Sequence, residues 1–368
     1  MFSLSAEYKI KWNKVLTIII VWMIIAVVIS IYDHIALHSK LSRGTPADYS
    51  FFTNLVFNII SAFIGGILGG GFLVFFVNEK LRSKPYWMTV LFVAISFILI
   101  VAFIAALLSL IIAPTITGKP LIDPETRKAF SNSLFNSVHL KNIVIWSIVV
   151  ALTQLTLQIN DKFGQGILWN FIKGRYNIPR EETRIFMFVD LISSTTIAEK
   201  LGNEKYHLFL RDFYADITNA IIYNKGEIYQ YVGDEIVISW KLDAGIANNQ
   251  CLKCYFDMRK TIMGLKEKYE SKYEMSPDFK AGLHYGKVIA GEIGIIKRDI
   301  TFSGDVLNTA SRIQSKCNEY KVKILSSDEL LQKLPYENQY KRIQIGDIEL
   351  KGKETKVPLS TLEIIEHV

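Results

Sequence analysis

The sequence predicts two fold classes in one chain: an α-helical four-span membrane domain, then an α/β domain of ferredoxin-like or palm type. Two contrasts predict the break. Half of the 368 residues are hydrophobic, yet the apolar excess lies before about residue 160 and the charge balance is ordinary after it. Periodicity changes at the same place, from long uncharged runs to short strand-like alternations interleaved with helical stripes in β-α-β-β-α-β order, with additions. The predicted boundaries are 1–160 for the membrane domain, 161–183 for a cytosolic connector and 184–368 for the soluble domain.

Residues 15–31, 51–77, 86–112 and 143–159 are each apolar enough to cross a bilayer core, which takes about 20 residues of helix. Tyr32, Asp33 and His34 follow the first run where a small-residue cleavage site would stand in a signal peptide, so it reads as a retained helix. Lys9, Lys11 and Lys14 precede the first span. Lys80, Arg82 and Lys84 fill the turn between the second and third, and Lys162, Lys173 and Arg175 follow the fourth. Positive flanks stay on the cytoplasmic side. The expectation is a multi-pass protein of the plasma (inner) membrane, with both termini and the soluble domain in the cytoplasm. Facing anionic headgroups of the lipid bilayer, these flanks also account for the net charge of +7, which therefore does not point to nucleic acid.

Gly65 with Gly69, and Gly66 with Gly70, have the four-residue spacing that lets membrane helices approach closely, within one bundle or between subunits. Residues 113–142 form a long external loop in which Phe130, Leu134 and Val138 predict a short amphipathic helix, either a lid or a sensing surface for an external ligand. No ionisable side chain interrupts the spans, and Asn58 and Gln154 are their notable amides, which argues for anchoring, dimerising and sensing over transport. Cys251-x2-Cys254 has no second Cys or His pair at zinc spacing, so these cysteines read as packing residues, and Cys317 stands apart from them. In the connector, Ile167, Leu168, Phe171 and Ile172 make a helical stripe that Gly174 and Pro179 stop, too short for a separate signalling module.

In the soluble part, residues 185–190 read as a buried strand that ends on Asp190 and a small hydroxyl-rich turn. Residues 227–231 and 236–240 alternate on either side of Val232, Gly233 and Asp234, a hairpin with Asp234 at its tip. Helices are expected at 196–223, 244–269 and 305–317, and strands at 279–284, 322–325, 342–345 and 359–364, with Gly286 and Gly291 following the strand at 279–284. A carboxylate at a strand end and another at a hairpin tip can meet on adjacent strands. Beside a Ser/Thr turn they suit a Mg²⁺-nucleotide, because Mg²⁺ takes hard oxygen ligands and shares them between protein and phosphates.

Four stretches, in order, then carry a family resemblance: FMFVDLISST at 186–195, YVGDEIVISW at 231–240, TFSGDVLNTASR at 301–312 and LKGK at 350–353. The region from about 184 to 364 resembles the catalytic domain of class III nucleotidyl cyclases, the family of adenylate and guanylate cyclases. The resemblance implies a membrane-bound enzyme that converts a nucleoside triphosphate, ATP by preference, to a 3′,5′-cyclic nucleotide and pyrophosphate, using two Mg²⁺ or Mn²⁺ ions per site. It implies a homodimer in which the metal carboxylates of one subunit meet the Asn and Arg of the other. By the family pattern Asp190, Asp234 and the main-chain carbonyl of Leu191 hold metal, Asn308 positions the ribose, Arg312 stabilises charge on the α-phosphate and Lys351 contacts the terminal phosphates. Asn308 and Arg312 are one helical turn apart and share a face. The backbone N–H groups of Ile192, Ser193, Ser194 and Thr195 lead into a helix N-terminus suited to phosphate.

Base choice departs from the pattern. Gln230 stands where adenylate cyclases usually have Lys, while Thr301 fits the adenylate type, and the Glu and Cys typical of guanylate cyclases are absent. An amide and a hydroxyl each donate and accept, so this pair suits adenine or guanine. Two other readings stay open. One is a catalytically silent nucleotide-binding signalling domain, against which Asp190, Asp234, Asn308 and Arg312 argue. The other is a diguanylate cyclase, whose Gly-Gly-Asp/Glu-Glu-Phe hairpin Val232-Gly233-Asp234-Glu235-Ile236 resembles without its first glycine and its phenylalanine.

Overall fold

The computed structural model describes residues 6–38, 49–77, 80–81, 86–134, 137–163, 174–296, 298–336, 339–350 and 356–365. Lys351 and connector residues 164–173 lie outside them. The chain divides into two compact units, Met1–Gly166 and Ile167–Val368.

The first unit is helical: α1 (Ala6–Leu37), α2 (Phe51–Val77), α3 (Tyr86–Thr117), α4 (Pro124–Leu134) and α5 (Ser137–Phe163). Four of these, α1, α2, α3 and α5, are long and apolar enough to cross a membrane. Side chains such as Ile24, Val28, Leu99, Phe103 and Leu152 remain exposed on them, as lipid-facing surfaces require. The glycine spacing works inside this bundle. A Cβ on Gly66 would stand 2.9 Å from Ile19 Cγ1, one on Gly70 3.0 Å from Ile18 Cγ2, and one on Gly69 3.2 Å from the Trp22 ring. Along the same stretch α2 widens into π-helical turns at Gly66–Gly70 and Leu73–Val77. The amphipathic helix expected near residue 130 is α4, but it ends at Leu134 and Val138 belongs to α5. Asp33, which follows the first predicted span, lies inside α1, where Lys141 Nζ donates to both its oxygens at 2.7 and 2.6 Å and neutralises its charge.

The second unit is a mixed sheet in the order β2-β3-β1-β4-β6-β8-β7, with β5 paired to β4. Its main elements, short helical turns aside, are β1 (Arg180–Leu191), α6 (Ser194–Tyr223), β2 (Glu227–Val232), β3 (Glu235–Lys241), α7 (Gln250–Gly264), α8 (Lys266–Tyr273), β4 (Phe279–Ile293), β5 (Asp299–Ser303), α9 (Asp305–Lys316), β6 (Ile324–Ser327), β7 (Tyr340–Ile348) and β8 (Val357–Ile364). Side chains alternate across β1. Ile185, Met187, Val189 and Leu191 join the core with α6, α7 and α8 on one face. Phe186 and Phe188 join Val306 and Ala310 of α9 on the other.

Two expectations are corrected here, and one strand is added. The strand at 279–284 continues as β4 to Ile293, because Gly286 is no break: a Cβ there would stand 2.7 Å from Val306 Cγ2, so the glycine seats α9. The edge strand β5 was not expected. The helix expected at 244–269 is broken, with Asn248 and Asn249 at φ 52° and 57°, in the left-handed region that asparagine tolerates, just before α7.

Candidate active site

β1 is central in the sheet, and its last residues carry the first carboxylate. Asp190 faces Glu235 of β3 on one side and Lys280 of β4 on the other. By alternation it points to the α9 face. There Gln314 Nε2 donates to Asp190 Oδ2 at 3.0 Å, and Lys280 Nζ pairs with the same oxygen at 3.2 Å. Asp234 sits in the turn between β2 and β3, next to Glu235, and Gly233 supplies the left-handed φ of 63° that the turn needs. Tyr214 of α6 donates its hydroxyl to the Gly233 carbonyl at 2.9 Å, pinning the hairpin tip to the helix.

Asp234 is close enough to act on Asp190. Burial raises the Asp190 carboxyl above its ordinary value and the charge of Asp234 raises it further, against the opposing pull of Lys280 and Gln314. Burial, then the charges of Asp190 and Asp234, push Glu235 up to about 7. Burial and the same two aspartates also raise the Tyr206 phenol, which bonds Ser194. A raised carboxyl binds more protons when folded than unfolded, so its contribution to stability is lost as pH rises from 4.5 towards 7. Glu235→Gln is therefore expected to leave the cation-free protein more stable than wild type at about pH 8 and no more stable near pH 4.5. Thermal unfolding of both proteins at the two pH values checks this, and equal differences would count against it.

Leu191 ends β1 with its side chain in the core, which leaves only its main chain for any ligand. Ser193 follows at φ 58° as the N-cap of α6, with no side-chain cap bond, so the first-turn amides of the helix keep no capping acceptor. The expectation for Ile192 is corrected: its N–H donates to the Asp278 carbonyl at 2.9 Å and is not free for phosphate. The open amides begin further along, towards Ser194 and Thr195.

α9 carries the other polar group. Asn308 is exposed and Arg312 half-buried. Arg312 lines an open concavity of about 420 Å³ with Ser315, Lys316, Glu349 and Leu350. The cation beside Asp190 is thus Lys280 and not Arg312. The structure gathers Asp190, Asp234 and the turn after β1 at one place, and holds Asn308 and Arg312 on a different surface of α9 from Gln314. Gln230 is exposed on β2, and Thr301 on β5 has a buried hydroxyl with no hydrogen-bond partner among the described residues. Lys280, Gln314, Tyr206 and Tyr214 were missed by the sequence reading, and only sheet register and helix placement bring them to the carboxylates.

Residues 177–362 match the family described as the adenylate and guanylate cyclase catalytic domain. The chain belongs to this family. It is 32% identical over 206 residues to adenylate cyclase 2 of Rhizobium meliloti (strain 1021), covering 56% of this chain and 57% of that protein. It is 22% identical over 204 residues to a receptor-type guanylate cyclase of Caenorhabditis elegans, covering 53% of this chain and 18% of that one. The solved structure of a bacterial light-regulated adenylyl cyclase shares the fold, with a TM-score of 0.51 at 20% identity over 59% of this chain and 64% of that one. The chain thus spans only part of the length of these relatives.

The residues present fit a divalent cation. No three His, Cys, Asp or Glu side chains form a metal cluster among the described residues. Two neighbouring carboxylates whose repulsion Lys280 only partly offsets are still the hard-oxygen set that Mg²⁺ or Mn²⁺ completes with phosphate and water.

Proposed function

We propose that the protein is a membrane-bound nucleotidyl cyclase that converts ATP to 3′,5′-cyclic AMP and pyrophosphate at sites shared between two copies of the chain. The observation that carries the reading is the meeting of Asp190 and Asp234 beside the uncapped N-terminus of α6. In the reaction the ribose 3′-oxygen bonds to the α-phosphorus, the bond from that phosphorus to the bridging oxygen breaks, and the hydroxyl proton is lost as pyrophosphate leaves. Two Mg²⁺ or Mn²⁺ ions, when bound, supply Lewis-acid activation of the hydroxyl and charge neutralisation of the triphosphate.

The chain's own residues do the rest. Asp190, Asp234 and the Leu191 carbonyl hold the ions, and the first amides of α6 receive phosphate oxygens. Asn308 orients the ribose, and Arg312 offers a fork of donors to the α-phosphate as its charge grows. Because Arg312 and Asp190 occupy different surfaces of one chain, a second copy is required to bring a guanidinium to each pair of carboxylates. Gln230 and the unpartnered hydroxyl of Thr301 read the base. We place the catalytic unit and both termini in the cytoplasm, with 161–183 as the connector from the membrane helices.

The test is product formation by the purified full-length protein with Mn²⁺ or Mg²⁺, offered ATP, GTP, CTP and UTP separately. Cyclic AMP as the main product is expected. Another cyclic nucleotide would overturn the base assignment alone. Nucleotide binding without any product would replace the enzyme by a silent signalling domain.

A further inference from the structure

The two base-reading candidates stand on strands that are not neighbours. β2 and β5 are separated in the sheet by β3, β1 and β4. Something other than the backbone ladder must fix Gln230 relative to Thr301, and a hydrogen bond ties the two strands directly. The Phe302 N–H, next to Thr301, donates to the Tyr229 hydroxyl, next to Gln230, at 3.3 Å.

The tie is built into both strands. Pairing of β2 with β3 shifts register between Ile228 and Gln230, so Tyr229 is the extra residue of a bulge. A bulge re-aims side chains and is common beside functional sites. Here it turns the Tyr229 ring across the sheet face, 5.0 Å from the Phe302 ring centroid, with Phe186 of β1 edge-on to both at 6.4 and 5.5 Å. Beneath them Arg184 is buried at 1% exposure, its guanidinium 4.5 Å from the Phe302 centroid. Arg184 NH1 also donates to Glu227 of β2 at 2.7 Å and Ser239 of β3 at 3.0 Å, and its Nε to Glu182 at 2.8 Å. One guanidinium therefore grips β2 through an ion pair and β5 through a ring, and the phenol closes the gap above it.

We propose that Tyr229 is a positioning residue for base selection: its hydroxyl, held by the Phe302 N–H over Arg184, sets the separation of Gln230 and Thr301. The proposal rests on the reading of those two residues as base contacts. Without the hydroxyl, the rings and the ion pairs keep the fold, while β5, which pairs only with β4, gains freedom to move away from β2.

The experiment uses Tyr229→Phe, Thr301→Val and the double variant in the full-length membrane protein, comparing kcat/KM for ATP and GTP. A net hydrogen bond is worth a factor of about five, so Tyr229→Phe should shrink the ATP:GTP ratio about fivefold. The change should lie in KM, with kcat and the unfolding temperature held. In the double variant the loss should match that of Thr301→Val alone, because Tyr229 acts through Thr301. A wild-type ratio near one would overturn the ATP assignment and, with no selection left to position, the proposal as well. A wild-type ratio far from one that Tyr229→Phe leaves unchanged, or losses that simply multiply in the double variant, would overturn the proposal alone.

Discussion

Co-expressed Asp234→Ala and Arg312→Ala chains make cyclic nucleotide at about a quarter of the wild-type rate, whereas either variant alone has lost about 10³-fold or more. This is the result expected if each site takes its carboxylates from one chain and its guanidinium from the other. Random pairing puts half of the chains into mixed dimers. Each mixed dimer has one intact site, built from the carboxylates of the Arg312→Ala chain and the Asn308–Arg312 helix face of the Asp234→Ala chain. Its other site lacks both groups. Two different affinity tags on the chains verify that mixed dimers form. Mixed dimers that stay as inactive as the parents would show that the site is completed within one chain. The position of Arg312, in a concavity away from the carboxylate paired to Lys280, is what makes complementation the expected result.

Gly282→Ala is expected to unfold the catalytic unit or lower its unfolding temperature by about 10 °C. A Cβ at this position of β4 would stand 2.2 Å from the Gln314 nitrogen, 2.5 Å from its Cα and 2.6 Å from the Ala310 carbonyl oxygen. All three are backbone atoms, so no side chain can rotate out of the way. Overpacking of a core commonly costs about 1–3 kcal/mol, and contact with a helix backbone belongs at or above the top of that range. A helix that shifts to make room takes Gln314 from Asp190. Loss of activity at an unchanged unfolding temperature would then replace loss of fold. Thermal unfolding and cyclase rate measured on one preparation separate the two, and a variant normal in both would contradict the packing described here.

Much of the architecture was legible because it follows from runs and alternation. Span length identified α1, α2, α3 and α5, and Asp190 and Asp234 stood out as charges ending apolar strands. Contacts fixed by register were not legible. Lys280 and Asp190 are 90 positions apart in sequence, and only the pairing of β1 with β4 sets them side by side. Gln314 reads as another polar residue of an amphipathic helix until Gly282 lets that helix lie against the strand. Gly286 fell outside the expected strand because sequence does not distinguish a glycine needed for a turn from one needed for close packing. The Ile192 amide looked available because its partner, the Asp278 carbonyl, is distant in sequence.

The segment that enters the catalytic unit is seated in part on a small residue. Pro179 packs on Gly291, where a Cβ would stand 3.3 Å from the proline ring, and Tyr176 accepts from the next residue, Glu292, at 3.1 Å. Gly291 is also the ladder partner of Thr301. In evolutionary terms, this places two selective pressures on one backbone position. A mutation that re-seats the incoming segment shifts the strand opposite Thr301, and one that changes position 301 must tolerate that seat. On the proposed reading of Thr301 as a base contact, substrate choice and the seat of the incoming segment are expected to constrain each other, and swapping that segment between relatives should carry a cost that depends on which residues flank this glycine.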